Sequence, residues 1–226
     1  MKIIYRTSDS GYSKVKATYI NTEDCLKNAS SIFKKSDWLV IADNVSKYNR
    51  DIILKYQDNI LDVRIGNGAG TFNLALDHAL TLDDNEVVYF LENDYVHRKD
   101  SDIVLEEGFS IGSEFVTLYD HLDKYFDGPN PYVSQGGEET KVFLSKSCHW
   151  KFTNSTTMTF AARVSTLKKY ETTLRKWTTT THPYDFDMWI DLRGHGATLI
   201  SPIPGYSTHG DLLTIAPLIN WEKEIQ

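Results

Sequence analysis

The stretch FLENDYVHRKD, residues 90–100, closes an apolar run, EVVYF, with Glu92, Asn93 and Asp94. Side chains at i and i+2 of a strand share a face, so the carboxylates of Glu92 and Asp94 can converge on one point. Two hard oxygen donors there suit Mg²⁺ or Mn²⁺, which bind through one or two carboxylates together with a substrate's phosphates. The competing reading is a solvated turn, because Asn-Asp is ordinary turn chemistry.

The elements that must position these residues alternate. KIIYRT reads as a strand, Lys16 to Phe33 as a helix, DWLVIAD as a strand and Ser46 to Gln57 as a helix. LDVRIG follows as a third strand, a Gly-rich turn opens a helix from about Thr71 to Leu80, and EVVYFLE is the fourth strand. Regular alternation implies right-handed βαβ crossovers, a mainly parallel sheet and ligands beyond the strands' carboxyl ends. Past Asp94 the pattern loosens: IGSEFVTLYD and TTMTFAARV are strand-like, and Ser165 to Trp177 and DFDMWIDLRGHG are helical. ATLISPIPGYSTHG returns to extended chain, and no repeat or linker divides residues 1–226.

RIGNGAGTFNLALDHALTLDDNEVVYFLENDY resembles the stretch of family 2 and related GT-A glycosyltransferases that leads into their acidic metal motif. PYDFDMWIDLRGHG, residues 183–196, is similar without gaps to the family's later helix start, with Tyr184 in place of its usual Glu. The family's Pro-x-Tyr-Asn turn after strand one is absent. The resemblance covers about Lys2 to Gly210. It implies a Rossmann-like, mainly parallel sheet flanked by helices in a single domain, with a nucleotide-binding half near 1–95 and an acceptor-binding half near 96–226.

It also implies roles. Asp94, Glu92 and His209 hold Mn²⁺ or Mg²⁺, while Thr7, Asp9, Asp43, Gly68, Asn73, Glu92 and Asn93 contact the nucleotide. Gly66, Gly68 and Gly70 let backbone approach the donor, and Asn73 opens the helix that follows. Asp185 takes the proton of an acceptor hydroxyl at the start of its helix, giving an inverted anomer. Asp187, two residues on, is a second catalytic candidate and equally a partner of the helix dipole. The implied partners are a UDP-, GDP- or dTDP-sugar donor and a carbohydrate or glycoconjugate acceptor.

Composition bounds the partners. Lys and Arg number 24 against 31 Asp and Glu, a net charge of −7, with no basic stripe to bind nucleic acid. Two cysteines, Cys25 and Cys148, and an N-terminus without a long apolar core lead to the expectation of a cytoplasmic protein with free thiols and no transmembrane segment. Trp38, Trp177 and Trp221 read as packing residues. Trp150 beside His149, and Tyr119 to His121, read either as packing and loop or as acceptor contacts. His97, Arg98 and Lys99 read as surface or as steering for polyphosphate. Two other classes stand beside the glycosyltransferase: a sugar-phosphate nucleotidyltransferase, from whose Gly-rich, Arg-containing turn after strand one RTSDSGYSK departs in having one glycine and a different order, and a nucleotide- or glycan-binding module of the same fold without chemistry.

Overall fold

The apolar run of β1 (Lys2–Ser8) is covered on both faces, and the helices that cover it are those that follow each strand of the parallel sheet. In chain order come α1 (Thr22–Ile32), β2 (Asp37–Asp43), α2 (Lys47–Ile53), β3 (Ile60–Val63), α3 (Gly68–Leu80), β4 (Val87–Glu92) and β5 (Tyr95–His97). Then follow α4 (Ser101–Ser110), β6 (Phe115–Val116), a 3₁₀ turn (Leu122–Lys124), β7 (Val142–Leu144), β8 (His149–Phe152) and β9 (Phe160–Arg163). The chain ends with α5 (Val164–Lys176), α6 (Asp185–Gly194), β10 (Leu199–Ile203), β11 (Ser207–His209) and α7 (Trp221–Glu224). The structure, a computed structural model, describes residues 1–9 and 15–226.

One large sheet has the order β3-β2-β1-β4-β9-β6-β10-β8-β7. The pairings make β8 and β9 antiparallel to their neighbours and leave the other strands running one way, so the sheet is mixed and mainly parallel, as expected. Alternate residues sort into two cores: Ile3, Tyr5, Val40 and Leu91 face α1 and α4, while Ile4, Ile41, Phe90 and Phe160 face α3, α5 and α6. The result is one α/β fold of three layers. Among the described residues no helix is long and apolar enough to cross a membrane.

Several expected boundaries move. α1 starts at Thr22, not Lys16, because Asn21 caps it by accepting from the Asp24 N–H at 2.9 Å. Ala17 and Ile20, whose spacing imitates a helix, are buried in a strap tied to the C-terminal region through the Ala17 N–H and Gly210 carbonyl at 3.2 Å. α3 starts at Gly68 because the Asn67 side chain accepts from the Gly70 N–H at 2.7 Å. The helix α4 and the β7–β8 hairpin are additions to the sequence reading, as is the small sheet in which β11 pairs antiparallel with β5.

Trp38 and Trp221 are buried as expected. Trp150 is fully buried as well, its Nε1 donating to Ser145 Oγ at 3.0 Å, which removes it from any acceptor surface. Tyr119 and Asp120 lie outside the strands but are buried, so they form neither a solvated loop nor an exposed acceptor surface. Asp120 pairs with Lys151 at 3.0 Å, and Lys124 donates to Asn154 and Ser155 at 2.8 and 2.7 Å. Both thiols are free; burial, with Asp94 adding to it, pushes Cys25 up to about 12, and burial pushes Cys148 up to about 11. Neither is a thiolate nucleophile near neutral pH.

His97, expected at the surface, is fully buried, with Asn28 accepting from its N–H at 2.8 Å and Tyr89 Oη 2.9 Å from its Nε2. Burial drives the imidazole down to about 3. The folded state therefore refuses a proton that the unfolded chain takes up near pH 6.5, so stability is full above that value and falls as pH drops from 6.5 toward 3. The folding equilibrium is expected to weaken by up to about tenfold per pH unit there. Urea midpoints between pH 6.5 and 5 check this: His97→Gln is expected to flatten the slope, and an unchanged slope would mean His97 is not the group responsible.

Candidate functional site

The carboxyl ends of β1, β2 and β4 open onto a cleft of about 640 Å³, closed on its far side by residues 181–183 and the start of α6. Of the residues singled out in the sequence, Thr7, Asp9, Asp43, Gly68, Glu92, Asn93, Asp94, Asp185 and His209 all line it. A volume of this size lies within the range of small-molecule sites. Its position is the one that parallel α/β topology favours for ligands.

Each strand end is held by a short-range bond. Asp43 is nearly inaccessible and accepts from the backbone N–H groups of Ile65 and Gly66 at 2.6 and 2.8 Å. Its carboxylate thus fixes the turn that leads into α3, where Gly66 sits at φ +78°, a conformation costly for any side chain. Asp9 accepts from the Ser46 N–H and from Asn49 Nδ2 at 2.8 and 2.7 Å, tying the end of β1 to the start of α2. Asn93 Nδ2 donates to Thr7 Oγ1 at 3.2 Å.

Two expectations change. Asn73 lies inside α3, not at its start, and does not line the cleft: its Nδ2 donates to the Thr178 carbonyl and its Oδ1 accepts from Thr178 Oγ1, both at 2.9 Å. Together with the Ala69 N–H to the Thr181 carbonyl at 3.4 Å, it brackets the segment that delivers Asp185. Asp187 is exposed and absent from the lining, since the helical turn rotates it away from Asp185. Asp185, the first residue of α6, accepts from the Phe186 N–H at 2.8 Å. Gly70 also serves packing rather than approach to a ligand: a Cβ there would lie 2.4 Å from Ile65 Cγ2.

Two cations in the cleft escaped the sequence reading. Arg6 is buried within the apolar run of β1, its Nη2 3.2 Å from Glu92 Oε1, its Nη1 donating to the Gly68 carbonyl at 3.2 Å, and its Nε without a partner. Lys16 places its Nζ 3.1 Å from Asp94 Oδ2. A basic residue inside KIIYRT was the one available sign for Arg6, since a lone charge in a buried strand needs a partner. Nothing in the local pattern marked Lys16.

The fit to a divalent ion is poor. Glu92 is engaged by Arg6 and by Thr159 Oγ1, which donates to Oε2 at 3.2 Å. His209 Nδ1 accepts from the Asp211 N–H at 3.3 Å, so the proton sits on Nε2, which faces Asp94 Oδ2 at 3.3 Å as a donor. A metal-binding histidine normally shows the opposite arrangement, with its distal nitrogen donating. Lys16 shares that same Oδ2. Among the described residues no three His, Cys, Asp or Glu side chains gather to hold an ion. Burial alone would raise the Asp94 carboxyl, but His209 and Lys16 outweigh it and hold the group well below the usual carboxylate range.

No known family's profile matches the chain, and no curated protein matches it. Solved structures do align with it. A197 from STIV matches with a TM-score of 0.45 at 13% identity over 97% of this chain and 96% of its own. The 2-C-methyl-D-erythritol 4-phosphate cytidylyltransferase (IspD) of Francisella tularensis matches with a TM-score of 0.49 at 12% identity over 98% and 99%. A CMP:2-keto-3-deoxy-manno-octonic acid synthetase complexed with CTP matches with a TM-score of 0.46 at 8% identity over 90% and 91%. Likeness at this level says nothing of the chemistry in the cleft.

Asp43→Ala is expected to lower stability by roughly 1.5–3 kcal/mol, because two backbone donors lose a charged acceptor in a nearly dry setting. Urea unfolding measures this. A stability equal to the parent's would mean the carboxylate is kept for a ligand rather than for the turn.

Proposed function

We propose that the cleft binds a nucleotide by its phosphate chain and that the protein is a transferase of nucleotide-activated sugars. The observation that carries this reading is that Asp94, beyond the end of β4, and Asp185, at the start of α6, line one and the same cavity. The nucleoside lies toward Thr7, Asp9 and the turn held by Asp43. Its phosphates reach Asp94 and its neighbours, and the reacting carbon faces Asp185.

In glycosyl transfer the acceptor's hydroxyl oxygen attacks the anomeric carbon as its proton passes to the Asp185 carboxylate. The bond from that carbon to the diphosphate oxygen breaks, and its electron pair leaves with the diphosphate. Attack from the side opposite the leaving group inverts the anomer. A base positioned this way contributes typically about 10²–10⁴ in rate.

The presence of Arg6 and Lys16 in the cleft supports a second reading, nucleotidyl transfer. There an already ionised sugar-phosphate oxygen attacks the α-phosphorus of a nucleoside triphosphate and pyrophosphate departs, so no base is needed. The turn after β1, on which likeness to such enzymes rests, lies partly outside the described residues.

Phosphorus NMR of two reaction mixtures separates the readings. With a sugar-nucleotide panel and mixed glycan acceptors, release of nucleoside diphosphate supports glycosyl transfer; with nucleoside triphosphates and sugar 1-phosphates, release of pyrophosphate supports nucleotidyl transfer. Asp185→Asn is expected to cut glycosyl transfer by about a hundredfold or more while donor binding persists. A loss under about threefold, or a retained anomeric configuration in the product, would remove Asp185 as the base. Binding of nucleotide sugar without turnover in either mixture would point to a non-catalytic module.

A further inference from the structure

We infer that the negative charge of the bound phosphates is met by the protein's own cations, Lys16 and Arg6, and not by a divalent ion held at Asp94. This rests on the nucleotide reading above and assigns the residues that make it work.

The first observation is the occupancy of Asp94. Its Oδ2 is shared between the Lys16 ammonium at 3.1 Å and the protonated Nε2 of His209 at 3.3 Å. A divalent ion on that oxygen would stand against the Lys16 ammonium at close range, where like charges repel. It would also need the His209 lone pair that the tautomer withholds.

The second observation is that Lys16 is placed by backbone, not by chance of a flexible side chain. Residues 15–17 bond to the chain just past His209: the Leu212 N–H donates to the Val15 carbonyl at 2.9 Å, the Ala17 N–H donates to the Gly210 carbonyl at 3.2 Å, and Lys16 bridges Asp211. Gly210 allows this contact, since a Cβ there would lie 2.5 Å from Ile20 Cγ2 and 3.0 Å from the Asp94 carbonyl oxygen. The Lys16 side chain is 37% exposed, so it is anchored at its base while its ammonium remains within reach of a ligand.

The third observation is the state of the remaining groups. Asp43 and Asp9 are spent on backbone and amide donors, and Glu92 on Arg6 and Thr159. Arg6, 5% exposed on the cleft wall, pairs with Glu92 and donates to the Gly68 carbonyl, and its Nε has no partner. An entering diphosphate can draw Lys16 from Asp94 while His209 keeps covering the carboxylate. In this arrangement Asp94 is a positioning residue: it parks the ammonium where the phosphates arrive.

Isothermal titration of the full chain with UDP, GDP, CDP, dTDP and inorganic pyrophosphate, in EDTA and in Mn²⁺, tests the inference without relying on turnover. At least one of these probes is expected to bind with the same affinity, within about threefold, in both conditions. Lys16→Met is expected to weaken that binding by about tenfold or more, and Lys16→Arg to restore most of it, as loss and return of a charged hydrogen bond require. Circular dichroism of Lys16→Met, a change at a partly exposed side chain, checks that the variant stays folded. Binding that appears only with Mn²⁺, or that Lys16→Met leaves intact or improves, would overturn the inference while leaving the nucleotide reading in place. Failure of all five probes in both conditions would overturn both.

Discussion

The carboxylate of Asp94 is where three distant stretches of chain meet. Just past β4 the backbone turns into β5, which pairs with β11 in the register His209 to Tyr95 and so brings the imidazole alongside. The strap that carries Lys16 joins the same β11 end through Gly210 and Asp211. A carboxylate so largely withdrawn from water is costly unless paired and hydrogen-bonded. Here it has both, from Lys16 and His209. The cleft's geometry follows: these contacts set the distance between the strand ends and the C-terminal strap, and α3, through Asn73 and Thr178, sets the distance to Asp185.

The half of the molecule beyond β4 is built differently. Lys151 and Lys124, each almost wholly buried, are bound to Asp120, Asp123, Asn154 and Ser155, with Tyr125 Oη donating to Asp120 at 2.6 Å. Buried ion networks are weak sources of net stability because desolvation offsets most of the attraction. What they impose is geometry, since a charge displaced from its partners in such a setting is severely penalised. The network joins the 3₁₀ turn, the loop before β7 and the segment after β8, none of which has an extensive apolar face of its own.

Much of the parallel half is legible in the residues. Each strand's unbroken apolar run reports burial on both faces, and the alternation of strands and helices implies right-handed crossovers. Topology places ligands at the strand ends, and the resemblance to GT-A glycosyltransferases implies Thr7, Asp43, Glu92 and Asp94 among the residues there. The misreadings have specific causes. Ala17 and Ile20 sit three apart in a strap and imitate a helix face; Asn67 and not Asn73 caps α3. His97 precedes Arg and Lys, yet it is interior because its ring packs against Phe33 and Tyr89 and its N–H is bound by Asn28 of α1. The placing of Lys16 depends on a contact across almost two hundred residues of chain, and no local pattern encodes it.

The central claim is that one ligand lies against both Asp94 and Asp185. A crystal structure of the chain with a bound nucleoside diphosphate tests it most directly. The account expects the base near Thr7 and Asp9, the phosphates against Lys16 and Arg6, and the terminal phosphate oriented toward Asp185. A nucleotide lodged instead in the separate pocket between Glu138, Phe152, Trp189 and Arg193 would contradict it.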